Sequence, residues 1–178
     1  IQVQPDDAYA KAHENGSLGK TECWFILDCK ENATLVVGHN AKTKEELEQM
    51  IHEGRWKEFI REIPIKPGDF IQIDPGTVHA IKGGTLLLET QQSSDITYRV
   101  YDYDRLSNGK PRQLHIAQSI DVITVPAKSA DNSVVHTEKK DDAIQQLIQC
   151  PYYTVYRIDV EHRVETWQDK PFALMSVV

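Results

Sequence analysis

A single histidine, His79, follows a tight Asp-Pro-Gly turn in "GDFIQIDPGTVHAIKGG", residues 68–84, with an apolar run on either side. An imidazole in that setting can bind a metal, but one histidine is not a site, and its partners must come from elsewhere in the chain. Glu22 enters the apolar run "TECWFILD", Glu89 ends "TLLLE", and Arg99 interrupts "ITYRVY". Desolvating a lone charge costs several kcal/mol, so charged groups in buried strands are paired or bind a metal. Taken singly, each of the three also fits a solvent-facing position on an alternating strand. A metal site on a β-barrel draws its ligands from strands adjacent in space, so wide spacing along the sequence is no objection.

The elements that must position these groups are short. From Arg61 onward, "REIPI", "FIQI", "VHAI", "TLLLETQ" and "ITYRVYDY" are separated by Lys-Pro-Gly-Asp, Asp-Pro-Gly, Lys-Gly-Gly and Ser-Ser-Asp. Regular short strands with Gly/Pro turns predict a mainly β chain, a sandwich or barrel. Upstream, "TECWFILD" and "ATLVVGHN" read as strands and "PDDAYAKAHENG" as a short helix. "TKEELEQMIHEG" is the clearest helix: Thr43 and Glu46 have capping-box spacing, Leu47, Met50 and Ile51 share a face, and Gly54 stops it. "RWKEFI" predicts another helical turn or two. A second unit is expected from Asp121, with strands over "DVITVPAK" and "YYTVYRIDV" and a helix over "DDAIQQLIQ" between them.

The 178 residues suggest one domain, or one and a part. Hydrophobic residues make up 40%, enough for a core. No apolar run approaches the ~18 residues of a membrane span. No basic-then-apolar leader is visible in "IQVQPDDAYA". The start "IQVQPDDAYA", without methionine, and the apolar end "PFALMSVV" suggest part of a longer protein. A net charge of −7 is the wrong balance for a general nucleic-acid or anionic-membrane binder, though it leaves room for a local basic pocket for a small anion. Cys23, Cys29 and Cys150 are odd in number and form no C-x-x-C pair, which fits inert thiols in a reducing cytoplasm better than a disulfide framework.

Read together, the residues around His79 carry a resemblance. "PGTVH" comes close to the second cupin motif, in which the histidine binds a metal inside a jelly-roll barrel. The longer stretch "IDPGTVHAIKGGTLLLETQQSSDITYRVYDYDR" resembles the type I mannose-6-phosphate isomerases in their short bacterial form, and "QVQPDDAYAKAHENGSLGKTECW" matches that family's upstream block in order and distance. The likeness covers essentially the whole chain and is densest in residues 1–26 and 64–105. It implies a cupin-type jelly-roll with a few short helices. Residues 1–120 would be a zinc-binding cupin domain lacking its first strands, and residues 121–178 the incomplete start of a second, cupin-like domain. The family's zinc ligands, a glutamine and a histidine in Q-V-H-P, a glutamate in K-x-E and a histidine in P-G-x-x-H, fall on Gln2, Gln4, Glu22 and His79. Position 4 departs from the pattern, with glutamine where the family has histidine. An amide oxygen is a harder, weaker donor for zinc than an imidazole nitrogen. A weakened site, an inactive relative and an introduced substitution all remain open at this stage.

The implied reaction interconverts mannose 6-phosphate and fructose 6-phosphate. It needs a base, an acid and a stabiliser for the developing enediolate. The resemblance places Lys20 and Arg99 in the active site, with Glu89 as an acid–base group and Asp95 near the substrate. Lys20, Lys82 and Arg99 are the cations closest to hand for the phosphate. Tyr98, Tyr101 and Tyr103 fit a sugar pocket, although Tyr98 fits core packing better. The alternative implied by Gln4 is a weakened or inactive cupin module that binds a sugar phosphate or a metal. His13, His52 and His136 read as solvated, and His39 and His115 as structural.

Overall fold

The computed structural model describes residues 1–129 and 133–178. In chain order its elements are β1 (Gln2–Val3), α1 (Asp7–His13), β2 (Glu22–Cys29), β3 (Thr34–His39), α2 (Lys44–His52), α3 (Trp56–Phe59), β4 (Ile60–Pro64), β5 (Asp69–Ile73), β6 (His79–Ala80), β7 (Thr85–Gln91), β8 (Tyr98–Arg99), β9 (Leu106–Ser107), β10 (Lys110–Pro111), α4 (Ile116–Val122), β11 (Val134–His136), β12 (Ala143–Gln149) and β13 (Thr154–Asp159). One sheet has the strand order β4-β3-β6-β1-β8 and a second the order β11-β5-β2-β7, with β9–β10 and β12–β13 as separate hairpins. This is the mainly β jelly-roll sandwich with a few short helices that the sequence predicts.

Alternation along the strands sorts the side chains into layers. Trp24, Ile26, Leu35, Val37, Ile71 and Ile73 meet between the sheets, each almost fully buried. Burying a side chain of this kind contributes about 1.5–3 kcal/mol relative to leaving it exposed. The opposite face of the first sheet presents Val3, Val36, Val78, Tyr98 and Val100 to the helices, where Leu47, Met50 and Phe59 cover them. Cys23 and Phe70, on the outer face of the second sheet, are covered by Leu147 of β12. Strands with both faces covered carry nearly continuous apolar runs, which is why "TLVVG" and "FIQI" show little alternation in sequence.

α2 forms where its cap predicts. The Thr43 hydroxyl accepts the Glu46 backbone N–H at 3.2 Å, and the Glu46 carboxylate accepts the Lys42 N–H at 2.6 Å. Two expectations need correction. The "DDAIQQLIQ" helix is instead strand β12, which pairs with β13 and buries Leu147 against Phe70. Tertiary pairing overrides the helix preference of Ala and Gln. "DVITVPAK" is not a strand either: Asp121 and Val122 close α4, Ile120 and Ile123 pack into the helical layer, and Pro126 has no N–H for a ladder. Beyond Asp121, β11 pairs with β5 and so extends the second sheet. Among the described residues no helix is long and apolar enough to cross a membrane.

Candidate metal and active site

The turn before His79 is built to hold it. The Thr77 N–H donates to the Asp74 carbonyl at 3.2 Å, and Gly76, at φ +80°, supplies the left-handed position that such a turn requires. A Cβ on Gly76 would lie 2.3 Å from the Thr124 hydroxyl. The Gly76 N–H also donates to the Gln4 carbonyl at 2.9 Å, tying the histidine turn to the residue that follows β1. Register does the rest: Gln2 pairs with His79 on one side and with Arg99 on the other. Since Val3, Val78 and Tyr98 face the helices, Gln2, Gln4, His79 and Arg99 face the barrel interior, as do Glu22 and Trp24 from the second sheet.

The result is one buried polar cluster in which Gln4, Glu22 and His79 are each fully enclosed. The His79 Nε2 lies 3.1 Å from the Gln2 amide nitrogen and 3.2 Å from Glu22 Oε1. The Gln4 amide donates to Glu22 Oε2 at 2.9 Å, and the Lys20 ammonium stands 3.4 Å from the same oxygen. Burial pushes the Glu22 carboxyl up, but His79, Lys20 and the Gln4 amide together outweigh it, so the group lies below the ordinary carboxylate range. His79 Nδ1 is 2.8 Å from the Thr77 carbonyl. In the tautomer with its proton on Nδ1, the ring donates to that carbonyl and presents the Nε2 lone pair toward Gln2 and Glu22. Trp24 packs edge-on against the imidazole at 5.5 Å and donates its indole N–H to Glu89 at 3.0 Å.

This donor set fits a divalent cation. Glu22 Oε1 and Gln4 Oε1 are buried, with no hydrogen-bond partner among the described residues, in the same cluster as His79 Nε2. Buried oxygens left without donors are costly unless a cation takes them. Gln2 can offer its amide oxygen by turning about its last bond. The fit is weaker than a histidine-rich site would give. Among the described residues no three His, Cys, Asp or Glu side chains converge, so His79 and Glu22 are complemented by amides alone.

Gln2, Trp24, His79 and Arg99 line a cavity of about 230 Å³, and Asp102, Arg105 and Arg112 line it too. Asp102 joins the two arginines: it accepts from Arg105 Nη2 at 2.8 Å and from Arg112 Nε at 2.7 Å, and a second Arg112 nitrogen reaches its other oxygen. The Arg112 hydrogen bond, against the opposing effect of burial and with help from Arg105, holds the Asp102 carboxyl far below the usual range. Sequence reasoning missed all three residues. Their one signal was a set of charges, Asp102, Arg105 and Arg112, crowded just after an apolar strand.

Of the residues that the sequence singled out, Gln2, Gln4, Lys20, Glu22, His79 and Arg99 come together. Glu89 is exposed and reaches the cluster through Trp24. Lys82 is held by Glu62 at 2.7 Å and by the Thr34 hydroxyl at 2.9 Å, and it does not line the cavity. Asp95 lies exposed in the loop between β7 and β8. Tyr98 is buried under the helices and donates its hydroxyl to Glu14 at 2.7 Å.

Two sheets enclosing a polar cluster and an open-ended cavity define a cupin-fold protein with one imidazole–carboxylate–amide site. Within that class, the chain is similar along its whole length to mannose-6-phosphate isomerases. It is 50% identical over 179 aligned residues to mannose-6-phosphate isomerase ManA of Bacillus subtilis and 47% identical to the mannose-6-phosphate isomerase of Streptococcus mutans. Both alignments take in 100% of this chain, which spans 57% and 56% of those relatives' lengths. The crystal structure of the mannose 6-phosphate isomerase from Bacillus subtilis superposes with a TM-score of 0.79 at 48% identity, over 90% of this chain and 52% of that one. No protein-family model matches the chain.

Proposed function

We propose that the cavity is the active site of a zinc-dependent isomerase that interconverts mannose 6-phosphate and fructose 6-phosphate by proton transfer through an enediol. The observation that carries this reading is that one small cavity is lined both by His79 and Gln2, which belong to the metal-fitting cluster, and by three arginines, Arg99, Arg105 and Arg112. Its volume lies below the ~300–1,000 Å³ of drug-sized ligand sites, which suits one small sugar phosphate. Arg105 and Arg112, sharing Asp102, keep a net positive charge for the phosphate, in preference to Lys82, which Glu62 already neutralises.

Zinc bound by Gln2, Gln4, Glu22 and His79 would act as a Lewis acid or as an orienting centre for the sugar oxygens. The protein's own groups do the rest. Arg99 remains protonated and presents paired donors to an oxygen that gains negative charge as the proton leaves the carbon beside the carbonyl. Lys20 holds a proton at Nζ beside the cluster. Glu89, on the same face of its sheet as Glu22 and Trp24, accepts the indole N–H beside His79 and is the carboxylate assigned to acid–base transfer in this reading.

Gln4 supports a second reading, a module of the same fold that binds sugar phosphate or metal but turns over weakly or not at all. A coupled assay for fructose 6-phosphate, run on zinc-supplemented parent and on Gln4→His, separates the two. Turnover by the parent supports the isomerase. Turnover gained only in Gln4→His supports the weakened module, and no turnover by either protein rejects the reaction.

A further inference from the structure

β8 is the outer strand of its sheet, so backbone groups of Arg99 that point away from β1 have no strand to pair with. One residue supplies partners for both. The Arg99 N–H donates to His115 Nδ1 at 3.1 Å, and the Arg99 carbonyl accepts the His115 backbone N–H at 2.8 Å. The side chain is held by the same segment, with Arg99 Nη1 donating to the Gln113 carbonyl at 2.8 Å. Just before it, Arg112 grips Asp102 at 2.7 Å. Residues 112–115 thus touch the backbone and the guanidinium of Arg99, and also the carboxylate that fixes Arg105. The segment runs directly into α4, which packs on β1 and β8 and buries Ile120 in the helical layer, so the contacts are anchored at both ends.

Covering a sheet edge needs only backbone pairing. Here an imidazole nitrogen takes the place of a strand carbonyl, and a main-chain oxygen holds the guanidinium end. We propose that residues 112–115 form a strap that sets the position of Arg99 in the cavity, with His115 as a positioning residue acting through the Arg99 backbone. Its consequence for turnover rests on the isomerase reading, because a group that stabilises developing charge loses much of its effect when displaced by a fraction of an ångström.

Two measurements on the intact protein test the strap. Nitrogen-15 NMR reads the hydrogen bond itself: a resolved coupling between the Arg99 amide nitrogen and His115 Nδ1 is expected in the parent, and its absence overturns the proposal. Steady-state kinetics then compare His115→Ala with His115→Asn, whose side-chain oxygen can replace Nδ1, each alone and combined with Arg99→Ala. His115→Ala should lower kcat about 10-fold or more with KM and metal content little changed. His115→Asn should recover most of that loss, and neither change should add to the loss caused by Arg99→Ala. An unchanged kcat in His115→Ala, or an equal loss in both Arg99 backgrounds, overturns the positioning role. If the parent does not isomerise mannose 6-phosphate, the isomerase reading fails, and the NMR coupling alone decides whether the strap exists.

Discussion

Glu22 and His79 are residues whose types do not belong in the apolar strands that hold them, and that mismatch made them visible in the sequence. In the structure both are fully buried and share a cluster with two amides and an ammonium. Asp102, Arg105 and Arg112 gave no such signal. Charges in a polar, turn-rich stretch normally face water, and only the fold shows that one carboxylate binds both arginines beside the cavity. The two groups of residues differ in what they should do. Arg99 lines the cavity without belonging to the metal-fitting set, so Arg99→Ala should lower kcat by about 100-fold or more while leaving zinc content intact. Parallel assay and elemental analysis check this, and a matching loss of zinc would make Arg99 a structural residue.

At the scale of elements, local chemistry predicts well wherever it is also what the fold uses. α2 begins at its capping box and the turn at Asp74-Pro75-Gly76 delivers His79, both as the sequence spells them. β12 was illegible because Ala and Gln favour helix locally, while its pairing with β13 and the burial of Leu147 are decided at a distance. The approach to Lys20 is a third kind of element, a loop laid against the chain before α1. Gly19 donates its N–H to Asp7 at 2.8 Å, Lys20 donates to the Pro5 carbonyl at 3.1 Å, and Gln92 ties Asp7 to the Thr21 N–H. A Cβ on Gly19 would sit 2.4 Å from the Asp6 carbonyl carbon and 2.5 Å from the Asp7 nitrogen, backbone atoms that have little room to yield. Gly19→Ala should therefore cost about 1–3 kcal/mol in urea unfolding. It should also weaken metal binding, because Lys20 and Glu22 follow directly. Unchanged stability would show that the loop can move aside.

For the molecule as a whole, the layering of helices, first sheet, core, second sheet and hairpin sets how stability depends on pH. His39 lies at the edge of the helical layer, stacked on Phe59 at 5.3 Å, with Nε2 3.0 Å from the Thr124 carbonyl. Burial, with Arg61 and Lys42, pulls its pKa below the ordinary 6.5, against the Thr124 hydrogen bond and Glu46. A histidine whose folded pKa is depressed contributes stability that is complete above its unfolded value and is lost as pH falls through its folded value. Urea midpoints should hold level above about pH 6.5 and decline below it. The depressed carboxylates Glu22 and Asp102 act in the same sense only below about pH 4, so the two windows separate. His39→Gln should flatten the upper one.

If the buried cluster holds the zinc on which sugar-phosphate isomerisation depends, stripping the metal and adding zinc back in known amounts, while fructose 6-phosphate formation is followed, should show it. Activity should rise in proportion to bound zinc, level off at one ion per chain, and be absent at every zinc level in His79→Ala. Turnover that survives metal removal, or a His79→Ala protein that still binds zinc and reacts, would contradict it.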